Sequence, residues 1–143
     1  MLNDIVIVLA EDDLGHASLI KRNLIRSGIE NDILHFEDGE KVLEYFFEKK
    51  SMESYYKGIP HILFLDLNLP KVKGIDILEK IKSEEDTKDI PVIVITTSSN
   101  EEEIEICNKY GCSNYIIKPT DYEKFVEIIK SLANLIKFME IPD

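Results

Sequence analysis

The chain has 143 residues, with 28 acidic residues against 17 basic ones and a formal net charge of −11. This length fits one domain with a buried core, and the negative charge argues against direct nucleic-acid binding, which requires clustered lysine and arginine. No apolar run approaches the roughly 20 residues that span a bilayer, and the start MLND does not resemble a signal peptide. We therefore expect a cytoplasmic protein without a membrane segment.

Short apolar runs alternate along the chain with segments of helical periodicity. The runs are too short for helices and lie beside turn or cap residues, so they predict strands at Ile5–Leu9, Ile33–Phe36, Ile62–Leu65, Pro91–Ile95 and Tyr115–Ile117. After each run, apolar residues recur at three- and four-residue spacing, which predicts five helices. The first is marked by Ala17, Ile20 and Leu24, and the last by Phe125, Ile129 and Leu132.

Several of the predicted strands are apolar on both faces, which is typical of strands buried between two layers of helices. Repeated strand–helix order then favours a parallel sheet with right-handed crossovers. We predict a doubly wound α/β fold in a single domain spanning residues 1–143, with a core at about 3–137 and a short C-terminal extension to 143. In such sheets, ligands bind beyond the carboxyl ends of the strands.

Reactive side chains follow four of these strands and should meet at that edge. Glu11 and Asp12 follow strand one, Asp66 follows strand three, Thr96 ends strand four and Lys118 follows strand five. Carboxylate oxygens are ligands that suit Mg²⁺, and a lysine holds a phosphoryl oxygen as a point charge. With a carboxylate such as Asp66 as nucleophile, this set predicts Mg²⁺-assisted phosphoryl transfer.

Some of these residues also have simpler explanations. Asp13 stands directly before a helix that should start near Leu14, where aspartate is favoured as an N-cap, so we assign it to helix initiation. A single Asp such as Asp66 more often belongs to a turn, and a single Lys such as Lys118 is more often solvent-exposed. His16 follows the acids by about one turn, and we expect an exposed helix histidine there rather than a pocket residue.

Taken in order, the motifs resemble the receiver domain of two-component response regulators. They are E-D after strand one, D-x-N-x-P-x-x-x-G from Asp66 to Gly74, T at the end of strand four, and Y-x-x-K-P at strand five. The resemblance covers almost the whole chain. It implies a (βα)5 flavodoxin-like fold with strand order 2-1-3-4-5, phosphorylated on aspartate by a histidine kinase with Mg²⁺ as cofactor, and not itself an enzyme acting on other substrates.

The resemblance also implies roles for individual residues in phosphoryl transfer. Asp66 is the phosphoacceptor, and Lys118 contacts the phosphoryl group. Glu11, Asp12 and Asp66 are the metal-binding acids, and Asn68 adds its backbone carbonyl to the metal. The side chain of Asn68 is expected to tune the lifetime of the phosphorylated form.

Further roles follow for the region that transmits the signal. Thr96 and Tyr115 are the switch residues, of which Thr96 also contacts the phosphoryl group. Ser98 is expected to tune the lifetime together with Asn68. The family carries a cis peptide bond between the lysine and the following proline, which predicts one between Lys118 and Pro119.

Two longer stretches, FLDLNLPKVKGIDILEKIKSEEDTKDIPVIVITTS and YIIKPTDYEKFVEIIKSL, resemble the stand-alone receivers that partner bacterial phytochrome-type histidine kinases. That resemblance implies a homodimer formed through helix four, strand five and helix five. The last helix is unusually apolar, which indicates either that the helix is deeply packed or that it has a second apolar face that binds a partner. Its apolar positions are Phe125, Val126, Ile128, Ile129, Leu132, Ala133, Leu135, Ile136 and Met139, followed by Phe138 and Ile141.

Two other classes of function remain open. Haloacid-dehalogenase-type phosphatases also use an aspartate nucleophile, Mg²⁺ and a lysine on a doubly wound sheet. They require a second aspartate as general acid, where this chain has Asn68. The second alternative is a receiver-like module that binds partners without being phosphorylated, although none of the pocket residues is degenerate.

Overall fold

The computed structural model describes residues 5–48 and 58–138. Its elements, in chain order, are β1 (Val6–Ala10), α1 (Leu14–Arg26), β2 (Ile33–Phe36), α2 (Gly39–Phe47), β3 (His61–Leu65), α3 (Gly74–Ser83), β4 (Val92–Thr96), α4 (Glu101–Lys109), β5 (Asn114–Ile117) and α5 (Tyr122–Phe138). Each predicted strand is present with its ends within one residue. The predicted positions Met139 and Ile141, and the outermost parts of the predicted domain, lie outside the described residues.

The five strands form one parallel sheet in the order β2-β1-β3-β4-β5. Ile7 of β1, for example, pairs with Ile33 of β2 on one side and with Ile62 of β3 on the other. All residues of β1, β3 and β4 are buried, whereas β2 at one edge is half-buried and β5 at the other is half-buried to exposed. The predicted doubly wound fold and its strand order are confirmed.

The sheet separates two hydrophobic clusters, because successive side chains of a strand point to opposite faces. Val6, Val8 and Ala10 of β1 join the cluster beneath α2, α3 and α4. Ile7 and Leu9 join the second cluster, beneath α1 and α5. The strand runs therefore look continuously apolar in the sequence because both faces of the sheet are covered by helices.

The last helix is both deeply packed and apolar beyond its packed face. Its core stripe is buried in the second cluster, and consists of Phe125, Ile129, Leu132, Ala133 and Ile136. Leu135 and Phe138 are exposed on the same helix. None of the helices in residues 5–48 and 58–138 combines the length and the apolar character that a membrane span requires.

Gly74, the first residue of α3, brings this helix unusually close to the end of β3. Its N–H donates to the Leu67 carbonyl oxygen at 3.0 Å. A Cβ atom at position 74 would lie 2.5 Å from the carbonyl oxygen of Asp66 and 2.5 Å from the Cα of Leu67. Both neighbours are backbone atoms, so any side chain here would have to displace the segment that carries Asp66.

We expect Gly74→Ala to lower the free energy of unfolding by about 1–3 kcal/mol, the usual cost of overpacking a tight site. Gly15→Ala is the matched control, because a Cβ there meets only the exposed Asp13 side chain, at 3.2 Å. The control should change stability by less than about 1 kcal/mol. Urea denaturation of both variants measures the difference, and equal effects would contradict the close approach at Gly74.

Candidate functional site

The three consecutive acids after β1 have different environments. Glu11 is buried, while Asp12 and Asp13 are exposed. Asp13 is the N-cap of α1, and its Oδ1 accepts a hydrogen bond from the His16 N–H at 3.0 Å. The assignment of Asp13 to helix initiation is confirmed, which leaves Glu11 and Asp12 for the pocket.

Asp66 is fixed at the end of β3 by backbone and side-chain hydrogen bonds. Its N–H donates to the Ala10 carbonyl oxygen at 3.0 Å, which ties the end of β3 to the end of β1. Its Oδ1 accepts from the Asn68 N–H at 2.9 Å. The carboxylate is buried and therefore has a defined orientation toward the carboxyl edge of the sheet.

Lys118 follows β5 and reaches across the pocket to the acids. Its ammonium Nζ donates to Glu11 Oε1 at 2.5 Å and to Asp66 Oδ2 at 2.8 Å. Its backbone N–H donates to the Thr96 carbonyl oxygen at 2.7 Å. The side chain is 3% exposed, so Lys118 is not a solvent-exposed lysine. The peptide bond to Pro119 is trans, and the expected cis bond is not found.

Burial and mutual charge shift the pKa values of this triad. Burial raises the pKa of Glu11 to about 7, and the nearby Asp66 charge adds to this while Lys118 opposes it. Burial acts against ionised Asp66 too, but the Asn68 N–H and the Lys118 ammonium outweigh it and lower the pKa of Asp66. Burial likewise opposes charged Lys118, and its two carboxylate partners outweigh it, raising its pKa.

The three acids converge closely enough to hold one cation. Glu11, Asp12 and Asp66 each offer a carboxylate oxygen, and these oxygens lie within 4.8 Å of one another. Two buried carboxylates share one ammonium, so the pocket carries excess negative charge that a cation would neutralise. Hard oxygen donors beside a shallow, partly exposed position fit Mg²⁺. The contribution of the Asn68 backbone carbonyl remains a prediction.

The residues expected to form the switch are connected through Ser98. Thr96 is buried. Its Oγ1 accepts two long hydrogen bonds, one from Asn68 Nδ2 at 3.5 Å and one from the Ser98 N–H at 3.4 Å. The Tyr115 hydroxyl donates to the Ser98 carbonyl oxygen at 2.9 Å. Ser98 Oγ in turn donates to Glu103 Oε1 of α4 at 2.5 Å.

Two contacts at the site were not predicted from the sequence. His16, expected on the surface, is half-buried with its Nδ1 3.0 Å from Lys118 Nζ. Its position one turn beyond the acids was the available signal. Glu103 binds Ser98, but it is one of three acids in the first turn of α4, and nothing in the sequence distinguishes it from Glu101 and Glu102.

The carboxyl edge of this doubly wound parallel sheet thus holds a buried lysine and three carboxylates whose oxygens are close enough to bind one cation. Residues 7–130 match the family model of the response regulator receiver domain. The chain belongs to this family, which makes it a signalling protein of the response regulator class. The match does not support the haloacid-dehalogenase alternative.

The similar proteins with solved structures cover nearly the whole chain. A response regulator receiver domain from Rhodospirillum rubrum is 40% identical, with a TM-score of 0.89 over 96% of each chain. The response regulator Rcp1 of Synechocystis is 29% identical over 129 residues, which are 90% of this chain and 86% of Rcp1. The Mn²⁺-bound form of Rcp1 has a TM-score of 0.85, covering 96% of this chain and 99% of that one. The phosphorylated cyanobacterial phytochrome response regulator RcpA is 29% identical, with a TM-score of 0.84 over 96% and 98% of the two chains.

The division of the three acids predicts different effects on metal binding. We expect Asp12→Ala to weaken Mg²⁺ binding by at least about tenfold, because even residues that only touch a metal ligand contribute roughly 10- to 100-fold. Asp13→Ser should leave the affinity unchanged, since serine caps a helix about as well as aspartate. Calorimetric titration with Mg²⁺ measures both, and equal losses in the two variants would contradict the assignment.

Proposed function

We propose that this protein is a response regulator that accepts a phosphoryl group from a histidine kinase on Asp66 in a Mg²⁺-dependent reaction. The observation that supports it best is the buried contact of 2.8 Å between Lys118 Nζ and Asp66 Oδ2, beside two further acids at the same sheet edge. The family membership and the phosphorylated state of the similar RcpA agree with this proposal. We place the reaction in the cytoplasm, without nucleic acid or membrane as partner.

In this proposal, the environment of Asp66 prepares it as a nucleophile. The Asn68 N–H and the Lys118 ammonium hold its two oxygens and favour the ionised form. A phosphoryl group in transfer carries its charge on three equatorial oxygens. Lys118 binds one of them, and the Thr96 hydroxyl donates to a second. When bound to Glu11, Asp12, Asp66 and the Asn68 carbonyl, Mg²⁺ supplies further neutralisation of that charge.

The switch acts through the hydrogen bonds around Thr96. When the Thr96 hydroxyl turns toward the phosphoryl group, it gives up the bonds that it now accepts from Asn68 and Ser98. The Ser98 carbonyl oxygen also accepts a hydrogen bond from the Tyr115 hydroxyl, so a shift at Thr96 is transmitted to Tyr115. Asn68 and Ser98 stand beside the transferred group and set how readily water reaches it, hence the lifetime of the adduct.

We further propose a phytochrome-type kinase as partner, and a homodimer formed through α4, β5 and α5. The likeness to Rcp1 and to RcpA supports the first part. Exposed apolar residues on all three elements support the second, among them Ile106, Ile117 and Leu135. A groove of ≈ 410 Å³ on this face is lined by Asn114, Ile116, Glu127, Ile128, Ser131, Leu132 and Leu135.

Incubation with Mg²⁺ and a small-molecule phosphodonor tests the assignment of the nucleophile. The wild type should gain the mass of one phosphoryl group, and Asp66→Asn should gain none, because an amide does not attack phosphorus. Asp76→Asn, an exposed acid of α3, is the control and should label like the wild type. Intact-mass spectrometry measures the mass gained by each of the three proteins.

Other results would contradict this proposal. Equal labelling of Asp66→Asn and the wild type would mean that another residue is the nucleophile. An unlabelled wild type, also lacking any response to beryllofluoride, would favour the module that binds without phosphorylation. Sustained hydrolysis of a phosphate ester would instead favour a phosphatase.

Sedimentation at micromolar concentration, with and without beryllofluoride, tests the proposed dimer. We expect the wild type to sediment as a dimer in at least the beryllofluoride state. Leu135→Glu should be monomeric, because it places a charge on the apolar face. Ile25→Glu changes an exposed apolar residue of α1, outside this face, and should leave the dimer intact. A wild type that stays monomeric in both states would remove the dimer.

A further inference from the structure

His16 is held against the pocket by three contacts. Its backbone N–H is capped by Asp13, which fixes the start of α1. Its ring packs edge-on against the buried Phe125, with centroids 6.0 Å apart. Its Nδ1 lies 3.0 Å from Lys118 Nζ. The distance from His16 Nδ1 to Asp13 Oδ2 is 3.8 Å, which is beyond hydrogen-bond distance. The ring therefore has a defined place beside Lys118.

The contact with Lys118 also fixes the hydrogen-bonding state of His16. A lysine ammonium has three N–H donors and no acceptor. Among the described residues, the three hydrogen-bond partners of Lys118 Nζ are Glu11, Asp66 and His16. Because an ammonium only donates, His16 Nδ1 is the acceptor in this hydrogen bond.

Of these three acceptors, His16 has no other task in the proposed function, on which this inference rests. Glu11 and Asp66 are assigned to the metal, and Asp66 also receives the phosphoryl group. Both carboxylates therefore change their interactions with Lys118 as the reaction proceeds. His16 Nδ1 binds neither the metal nor the phosphoryl group in the proposed reaction, so its contact with Lys118 has no such reason to change.

We infer that His16 is a positioning residue, which keeps the Lys118 ammonium directed at the phosphoryl group during transfer. An imidazole nitrogen suits this role better than a third carboxylate. It orients the ammonium through one hydrogen bond without neutralising the positive charge, which remains available to the phosphoryl oxygens.

Two substitutions at His16 separate the acceptor from the ring. His16→Phe keeps an aromatic ring against Phe125 but has no acceptor, whereas His16→Asn offers a side-chain oxygen near the place of Nδ1. Ser18→Phe, at an exposed position of the same helix, is the control for the added ring. The measurements are the phosphorylation rate of Asp66 across phosphodonor concentrations at saturating Mg²⁺, and the affinities for beryllofluoride and for Mg²⁺ alone by calorimetry.

We expect His16→Phe to lower the rate at saturating phosphodonor and the beryllofluoride affinity by about ten- to a hundredfold, because misplacing a reacting group by about 1 Å can cost a factor of about 100. Its KM for the phosphodonor and its Mg²⁺ affinity should remain unchanged, because the acids are intact. His16→Asn should recover most of the rate, and Ser18→Phe should match the wild type. Recovery by an acceptor is not expected if His16 serves only to pack the helix.

Two results would overturn this inference while leaving the proposed function in place. In the first, His16→Phe is phosphorylated as fast as the wild type. In the second, His16→Asn is as slow as His16→Phe although urea denaturation shows both variants to be folded, so that the ring and not the acceptor matters. A wild type that accepts no phosphoryl group would instead be a failure of the proposed function itself.

Discussion

The bonding of one buried ammonium to two buried carboxylates is the interaction on which the rest of this site depends. The side chains of Lys118, Glu11 and Asp66 are 3%, 2% and 6% exposed. Removing charges from water costs several kcal/mol per ion, and mutual attraction offsets this only when the hydrogen bonds are well formed. The fold must therefore place the ends of β1, β3 and β5 at one edge, close enough for the long Lys118 side chain to reach both carboxylates, and a doubly wound parallel sheet does so.

This arrangement carries more negative than positive charge, which suits the proposed metal-dependent chemistry. One ammonium faces two carboxylates, and the pKa of Glu11 rises to about 7 as burial and the Asp66 charge act on it. Neutralising the pocket needs a further positive charge, and the third acid, Asp12, is exposed where a cation can enter from solvent. An excess of negative charge suits the binding of a divalent metal, which the proposed phosphoryl transfer requires.

The sequence predicted the fold and the converging residues well, for a physical reason. Strands covered on both faces leave unbroken apolar runs, and their carboxyl ends meet at one edge of a parallel sheet whatever the details of packing. Glu11, Asp66, Thr96 and Lys118 could thus be grouped from position alone. The strand order needed the family resemblance, because periodicity does not say which strands are neighbours.

Contacts between side chains of distant elements could not be predicted in this way. The place of His16 depends on the rotation of α1 and on Phe125 of α5, to which periodicity assigns only a core position. Glu103 contacts Ser98 because of how α4 follows its N-cap Asn100, and the three consecutive acids there are equivalent in the sequence. Such contacts depend on how the helices and strands pack against one another, which cannot be read from a single sequence.

The end of β5 joins the pocket to the outer surface through a single peptide bond. Ile117 is 43% exposed on one side of the strand, and the next residue, Lys118, is buried on the other. A partner that contacts Ile117 thus acts on the backbone that positions Lys118. Thermodynamic linkage requires any such coupling to be reciprocal. A partner that binds the proposed phosphorylated form more tightly by a given factor must favour formation of that form by the same factor. Binding of a partner at Ile117 would therefore also act on the pocket.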